Sequence, residues 1–102
     1  MQFIDAHCHL NASEFDTDID SVISRAKTKG VIAAVIVSES VRHFARTIQL
    51  TKQYPGWAFA CLGVHPVQGE RSVQRDDLYE ALPLIKQYAE QIVGIGEVGS
   101  NI

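Results

Sequence analysis

Two histidines one residue apart close the first apolar stretch of the chain. The run from Phe3 to His9 is typical of a β-strand, whose alternate side chains share a face. His7 and His9 then lie together, and two such imidazoles can bind one divalent cation. Asp5 falls on the same face, where its carboxylate can hold a ring nitrogen in the metal-binding tautomer. A histidine pair at an exposed strand end is the plain alternative for this motif taken alone.

Four apolar stretches alternate with three helical patterns along the chain. The run from Val31 to Val37 is unbroken and rich in Val and Ile, which is typical of a parallel strand covered on both faces. Strand starts lie about 26 to 35 residues apart, the spacing that crossover units need. The predicted strands cover residues 3–9, 31–37, 57–64 and 92–98, with helices between them. This order fits either an open, doubly wound sheet or the first half of an eight-stranded barrel.

Capping and breaking residues indicate where the helices begin and end. Asp16 or Thr17 is expected to cap the first helix, and Ser40 the second. The third helical pattern contains Pro83, which predicts a kink or a break. The connection over 67–75 is polar and is expected to be a loop.

Polar residues follow the predicted strands at their carboxyl ends. In both architectures ligands bind at that rim of the sheet. Nitrogen and oxygen donors of this kind suit zinc, manganese or magnesium. We therefore expect the rim to bring these side chains together. They are His7 and His9 after the first strand, Ser38 and Glu39 after the second, His65 after the third, and Glu97 at the fourth.

Composition places the chain among ordinary globular proteins. Its 102 residues are enough for one domain, or part of a larger one, and 46% of them are hydrophobic. The net charge of −3 provides no basic field for a polyanion, so any nucleic-acid contact must be local. Cys8 and Cys61 lie in apolar runs and are expected to be reduced thiols of an intracellular protein. We expect no signal peptide, and no apolar run approaches the roughly 20 residues that span a bilayer.

Two other catalytic patterns fit poorly. Gly94 to Gly99 matches G-x-G-x-x-G, but the helix and the acidic residue that a dinucleotide site requires do not follow it. Cys8 is expected to face away from His7 and His9, which disfavours a thiol nucleophile. No G-x-S-x-G turn is present to support a serine hydrolase.

Three motifs in order resemble the TatD family of metal-dependent deoxyribonucleases. They are Ile4-Asp5-Ala6-His7-Cys8-His9-Leu10, Gly63-Val64-His65-Pro66, and Gly94-Ile95-Gly96-Glu97-Val98-Gly99. The stretch from Cys61 to Gly69 looks especially like the third TatD-domain-containing group of animal proteins. The resemblance runs over nearly the whole chain, to about Gly99.

The resemblance implies a (β/α)8 barrel of the amidohydrolase superfamily with two divalent ions, Mg, Mn or Zn, at the rim. In family terms His7 and His9 are ligands of the first metal, and Glu97 is the catalytic carboxylate that bridges both. His65 lies beside the substrate phosphate. The implied partner is DNA, whose phosphodiester bonds are hydrolysed, often from the 3′ end. A related amidohydrolase acting on an amide or ester is the alternative within enzymes, although those with a carboxylated lysine carry it where Glu97 stands.

The chain also departs from the family pattern. The family continues G-E-x-G-L-D, whereas Ser100 and Asn101 stand at the last two positions here, and four further strands with their ligands are missing. We therefore expect residues 1–102 to form a single incomplete domain, a truncated form with little or no activity. Four strands alone leave two sheet edges and an apolar face open. Self-association through those edges, or pairing with a full-length enzyme, is the expected consequence.

Overall fold

Four parallel strands form the sheet that carries the candidate site. The computed structural model describes residues 1–68, 71–72 and 75–98. The strands are β1 (Phe3–Cys8), β2 (Val31–Val37), β3 (Ala58–Leu62), β4 (Val67–Gln68), β5 (Arg71–Ser72) and β6 (Gly94–Ile95). The main sheet has the order β1-β2-β3-β6, and every pair in it is parallel. Because the strands follow one another without a reversal of order, the sheet is the first half of a barrel and not a doubly wound sheet.

Three helices connect these strands across one side of the sheet. They are α1 (Ile19–Thr28), α2 (Phe44–Gln53) and α3 (Arg75–Gln87). Two clusters of buried side chains fill the space beneath them. Ile23 of α1 packs with Ile36 of β2 in the first cluster, and Phe44, Leu62 and Ala81 join α2, β3 and α3 in the second. Full burial of each large apolar side chain stabilises the fold by about 1.5–3 kcal/mol, so these clusters stabilise the sheet whose strand ends carry the candidate site.

The helix starts differ from the predicted ones. The residue that precedes α1 is Asp18, and its side chain makes no hydrogen bond with the helix. Asp16 and Thr17 lie in a turn before it, where Asp16 N–H already donates to the Ser13 carbonyl. Ser40 precedes a short 3₁₀ turn over Val41–His43 and makes no side-chain cap either. The predicted caps are wrong because a tight turn comes before each helix.

Two connections also differ from expectation. The polar stretch after β3 contains an antiparallel pair, β4 with β5, instead of a plain loop. Pro83 lies inside α3 without breaking it. Proline leaves the carbonyl of Tyr79, four residues earlier, without its helical donor. Both residues are exposed, so water can satisfy that carbonyl and the helix continues.

The fourth strand of the sheet is shorter than predicted. A strand over 92–98 was expected, but only Gly94–Ile95 pairs with β3. Glu97 N–H donates to the Ser38 carbonyl at 2.9 Å, so the chain leaves β3 and crosses towards the end of β2. The third strand is shorter as well, because Ala58–Leu62 replaces the expected 57–64.

The two outer strands of the sheet carry exposed apolar side chains. On β1, Phe3 and Ile4 are 49% and 63% exposed, and on β6 Ile95 is 58% exposed. On the central strand β2, Val31 and Val35 are half-buried and Ile32 is exposed. No helix within the described residues is long and apolar enough to cross a membrane.

Candidate metal centre

Three predicted ligands converge at the carboxyl rim of the sheet. His7 is the next-to-last residue of β1, His9 follows that strand, and Glu97 follows β6. His7 Nε2 lies 3.2 Å from Glu97 Oε1, and His9 Nε2 lies 3.6 Å from Glu97 Oε2. One donor atom from each residue falls within 4.8 Å of the other two. The carboxylate therefore presents one oxygen to each ring.

These distances fit a shared divalent cation. Two donors at about 2.1 Å from a tetrahedral zinc ion are roughly 3.4 Å apart, and the observed 3.2 and 3.6 Å lie on either side of that value. The His7 and His9 rings meet edge to face, with centroids 5.1 Å apart, so they are not stacked against each other. Both rings are partly exposed, which leaves the donors accessible to an ion from solvent.

Asp5 supports the main chain that carries His7. Its Oδ1 accepts a hydrogen bond from the His7 N–H at 3.1 Å. The pairing of β1 with β2 shifts register between Asp5 and Cys8, so the regular alternation of faces does not hold there. The predicted hydrogen bond from an imidazole N–H to the Asp5 carboxylate is not among the side-chain contacts of the described residues. A role of Asp5 behind the ligands stays a prediction.

A buried polar network holds the loop after His9. Asn11 Nδ2 donates to the Val37 carbonyl at 2.9 Å and to Thr47 Oγ1 at 2.7 Å. Thr47 donates its own proton to the His43 carbonyl, so the Ser38 hydroxyl, 3.0 Å away, donates to Thr47. Sequence reasoning missed Asn11 and Thr47. Thr47 is a polar residue on the otherwise apolar buried face of α2, and this pattern was the signal in the sequence that could have revealed the network.

Glu97 is positioned by a close approach of two main chains. Gly96 N–H donates to the Leu62 carbonyl at 3.0 Å, and Glu97 N–H donates to Ser38. A Cβ atom on Gly63 would lie 2.5 Å from the Glu97 carbonyl oxygen. Only glycine at position 63 permits this approach, which explains physically why the G-V-H-P motif begins with it.

His65 and Glu39 lie on the same rim. His65 N–H donates to the Glu39 carbonyl at 2.8 Å, which joins the end of β3 to the end of β2. Glu39 Oε1 lies 3.9 Å from His9 Nε2. His65 does not belong to the three-donor cluster of the described residues. Its predicted contact with substrate stays a prediction.

Comparison with known proteins fits this geometry. Residues 4–102 match the family model described as TatD related DNase. The chain belongs to the TatD-related DNase family. The predicted family is thus confirmed over nearly the whole chain.

Relatives of this TatD-family chain are longer than it is. The putative deoxyribonuclease tatdn3 of Danio rerio is 50% identical over 101 residues, covering 95% of this chain and 38% of the relative. The uncharacterized metal-dependent hydrolase YabD of Bacillus subtilis is 35% identical over 97 residues, covering 93% and 36%. The crystal structure of YjjV, a TatD homologue from Escherichia coli, superposes with a TM-score of 0.81 at 28% identity, covering 98% of this chain and 38% of that one. The chain therefore spans less than two fifths of each of these three proteins, and the predicted half-barrel fold is confirmed.

A cavity of about 360 Å³ opens beside His9 in the TatD-family chain. Arg42, His43 and Glu39 contribute to its wall. Burial, followed by the charge of Arg42, holds the pKa of His43 below its usual value of 6.5. His43 is therefore neutral at pH 7, and Arg42 provides the permanent positive charge on this side of the metal centre.

Proposed function

We propose that this chain is a divalent-metal-dependent hydrolase module whose substrate is the phosphodiester backbone of DNA. The observation that carries the proposal is the convergence of His7, His9 and Glu97 within 4.8 Å in a member of the TatD-related DNase family. Relatives named as deoxyribonuclease and as metal-dependent hydrolase support this reaction and this cofactor class. DNA as the substrate implies an intracellular location, in the cytoplasm or nucleus.

Each residue of the rim has a distinct task in the proposed reaction. His7 and His9 would hold a cation, and Glu97, which directs one oxygen at each ring, would share in binding it. A bound Mg, Mn or Zn ion supplies Lewis acidity at the phosphate and lowers the pKa of its bound water. His65, tied to the same rim, contacts the phosphate. Arg42 lies beside the metal centre, where its guanidinium can pair with a neighbouring phosphate of the strand.

We infer that the chain by itself binds metal more readily than it cleaves DNA. Within the described residues the metal cluster offers three donors, and a bound cation would engage all three. Hydrolysis also requires a base positioned at the attacking water. The expected activity of this chain is therefore low or absent, even with its metal bound.

Metal titration and DNA cleavage test the proposal together. Calorimetric titration with Mn²⁺ should detect a site, and the double variant His7→Ala/His9→Ala should abolish it. His43→Gln is the matched control for metal binding, since His43 lies outside the three-donor cluster. Labelled single-stranded DNA incubated with Mg²⁺ or Mn²⁺ then reports turnover. Fast cleavage that the double variant abolishes would overturn the low-activity inference, and the absence of any metal binding would overturn the function itself.

The exposed sheet edges support a second proposal, association of two copies of this chain. Ile4 on β1 and Ile95 on β6 present apolar side chains at the two edges. Sedimentation velocity should show a dimer or larger species that Ile4→Lys and Ile95→Lys weaken. Leu82→Lys is the matched control, because Leu82 is 62% exposed but lies on helix α3 and not on a strand of the sheet. A single monomeric species at high concentration would exclude this association.

A further inference from the structure

One carboxylate of the rim has no assigned role. Glu39 Oε1 lies 3.9 Å from His9 Nε2, and Glu97 Oε2 lies 3.6 Å from the same nitrogen. A separation of 3.9 Å is too long for a hydrogen bond between ring and carboxylate. The carboxylates of Glu39 and Glu97, which follow different strands, thus both lie near His9 Nε2 but beyond normal hydrogen-bond distance from it.

The main chain of Glu39 is fixed to both neighbouring strands. Its carbonyl accepts the His65 N–H at 2.8 Å, and the preceding Ser38 carbonyl accepts the Glu97 N–H at 2.9 Å. Ser38 N–H in turn donates to the Cys61 carbonyl at 3.2 Å, and Ser38 is fully buried. Glu39 is therefore attached to the same hydrogen-bonded frame as Glu97, so the sheet fixes the relative placement of the two main chains from which these carboxylates extend.

Charge and distance favour a cation between these groups. Two carboxylates that approach the same imidazole repel each other, and a divalent ion between them converts that repulsion into attraction. With donor distances of about 2.1 Å, the separation of 3.9 Å corresponds to an angle of roughly 135° at the metal. Glu39 lies outside the cluster whose donors are all within 4.8 Å of one another, so its carboxylate must swing towards the ion by more than about 1 Å to reach the tetrahedral separation of about 3.4 Å from every other donor. The Glu39 side chain is partly exposed, so it is not enclosed by the core of the fold.

We propose that Glu39 is a fourth ligand of the cation held by His7, His9 and Glu97. The inference rests on the proposed metal site and deepens it. Two imidazole nitrogens and two carboxylate oxygens from β1, the end of β2 and the end of β6 then complete a tetrahedral set within the first half of a barrel. Such a set suits Zn²⁺ or Mn²⁺ and binds its ion without a donor from any later strand.

Cobalt titration of the whole chain tests this ligand directly. Co²⁺ occupies zinc-type sites, and its visible absorption reports the number and kind of ligands. Glu39→Ala should weaken Co²⁺ binding at least tenfold and change the absorption band, because a donor is lost from the coordination sphere. Glu14→Ala is the matched control, since Glu14 is an exposed acid on the same cavity and should leave both affinity and band unchanged. Glu39→Gln, which keeps the side-chain length, checks that the loss does not come from unfolding, and circular dichroism of each variant confirms the fold.

The possible results separate this inference from the metal site itself. If Glu39→Ala keeps both the affinity and the band while His7→Ala/His9→Ala binds nothing, the metal site stands and the fourth ligand is refuted. A weaker affinity with an unchanged band also refutes it, because Glu39 would then act only through its charge. If the unsubstituted chain binds no Co²⁺, the fourth ligand and the proposed function fall together.

Discussion

Substitution of Gly63 by alanine should displace Glu97 from the metal centre. The added Cβ would lie 2.5 Å from the Glu97 carbonyl oxygen and 2.7 Å from the Gly96 carbonyl carbon. Comfortable separation is about 3.5 Å, so one of the two main chains must retreat by roughly 1 Å. Such overpacking costs about 1–3 kcal/mol. Loss of the Glu97 N–H to Ser38 hydrogen bond adds about 1 kcal/mol. We expect Gly63→Ala to destabilise the chain by about 2–4 kcal/mol.

Metal affinity should fall together with stability in this variant. Ligand geometry tolerates displacements of about 0.5 Å, so a 1 Å shift should weaken Co²⁺ binding at least tenfold, or about 1.4 kcal/mol. Urea unfolding measures the first effect, and Co²⁺ titration of the folded variant measures the second. Gly96→Ala is the matched control, because a Cβ there meets only Cys61 Cβ at 3.8 Å, an ordinary contact. If Gly63→Ala binds Co²⁺ as tightly as Gly96→Ala does, the close approach does not position Glu97 and the reasoning fails.

Two further outcomes follow from the interior of the sheet. Asn11→Ala removes the donor to the Val37 carbonyl and to Thr47, so urea unfolding should show that the free energy of unfolding falls by about 2 kcal/mol. The control Ser13→Ala, at an exposed position, should change it by less than about 0.5 kcal/mol. Equal losses of stability in the two variants would contradict the role of the buried network. Burial raises the pKa of the Cys61 thiol above its usual value of 9.0, so the stability that this thiol contributes is complete below pH 9 and is lost as pH rises through the higher pKa of the folded state. The difference in unfolding free energy between the chain and Cys61→Ala should therefore shrink as pH rises above 9, and a difference that does not change with pH would contradict the burial of this thiol.

Much of the fold followed from hydrophobic patterning. The unbroken Val31–Val37 run is observed as β2 with the same bounds, because a central strand is apolar along its whole length. Where tertiary contacts set the boundaries, the sequence was less informative. The predicted strand over 92–98 ends at Ile95, since the Glu97 N–H donates to Ser38 at the end of β2 and not to β3. Helix caps failed for a similar reason, because the turns before α1 and α2 are stabilised by their own main-chain hydrogen bonds.

The sequence predicted which residues form the candidate site, but not the hydrogen bonds that hold them in place. Placing His7, His9 and Glu97 at strand ends was sufficient to predict that they meet, because parallel strands share a rim. The register shift in β1, which directs Asp5 to the main chain of His7, depends on pairing with β2 and has no local signal. The contact between Asn11 and Thr47 spans 36 positions along the chain, so it is visible only once α2 is packed on the sheet.

The end of β2 connects the ligands to the rest of the molecule. Val37 holds Asn11, two residues beyond His9, while Ser38 holds Glu97. If the chain at Val37 and Ser38 unfolded locally, the segments that carry His9 and Glu97 would lose their hydrogen bonds together, although they come from opposite edges of the sheet. Occupation of the site by an ion should therefore raise the melting temperature of the entire chain, and a chelator should lower it in a single cooperative step.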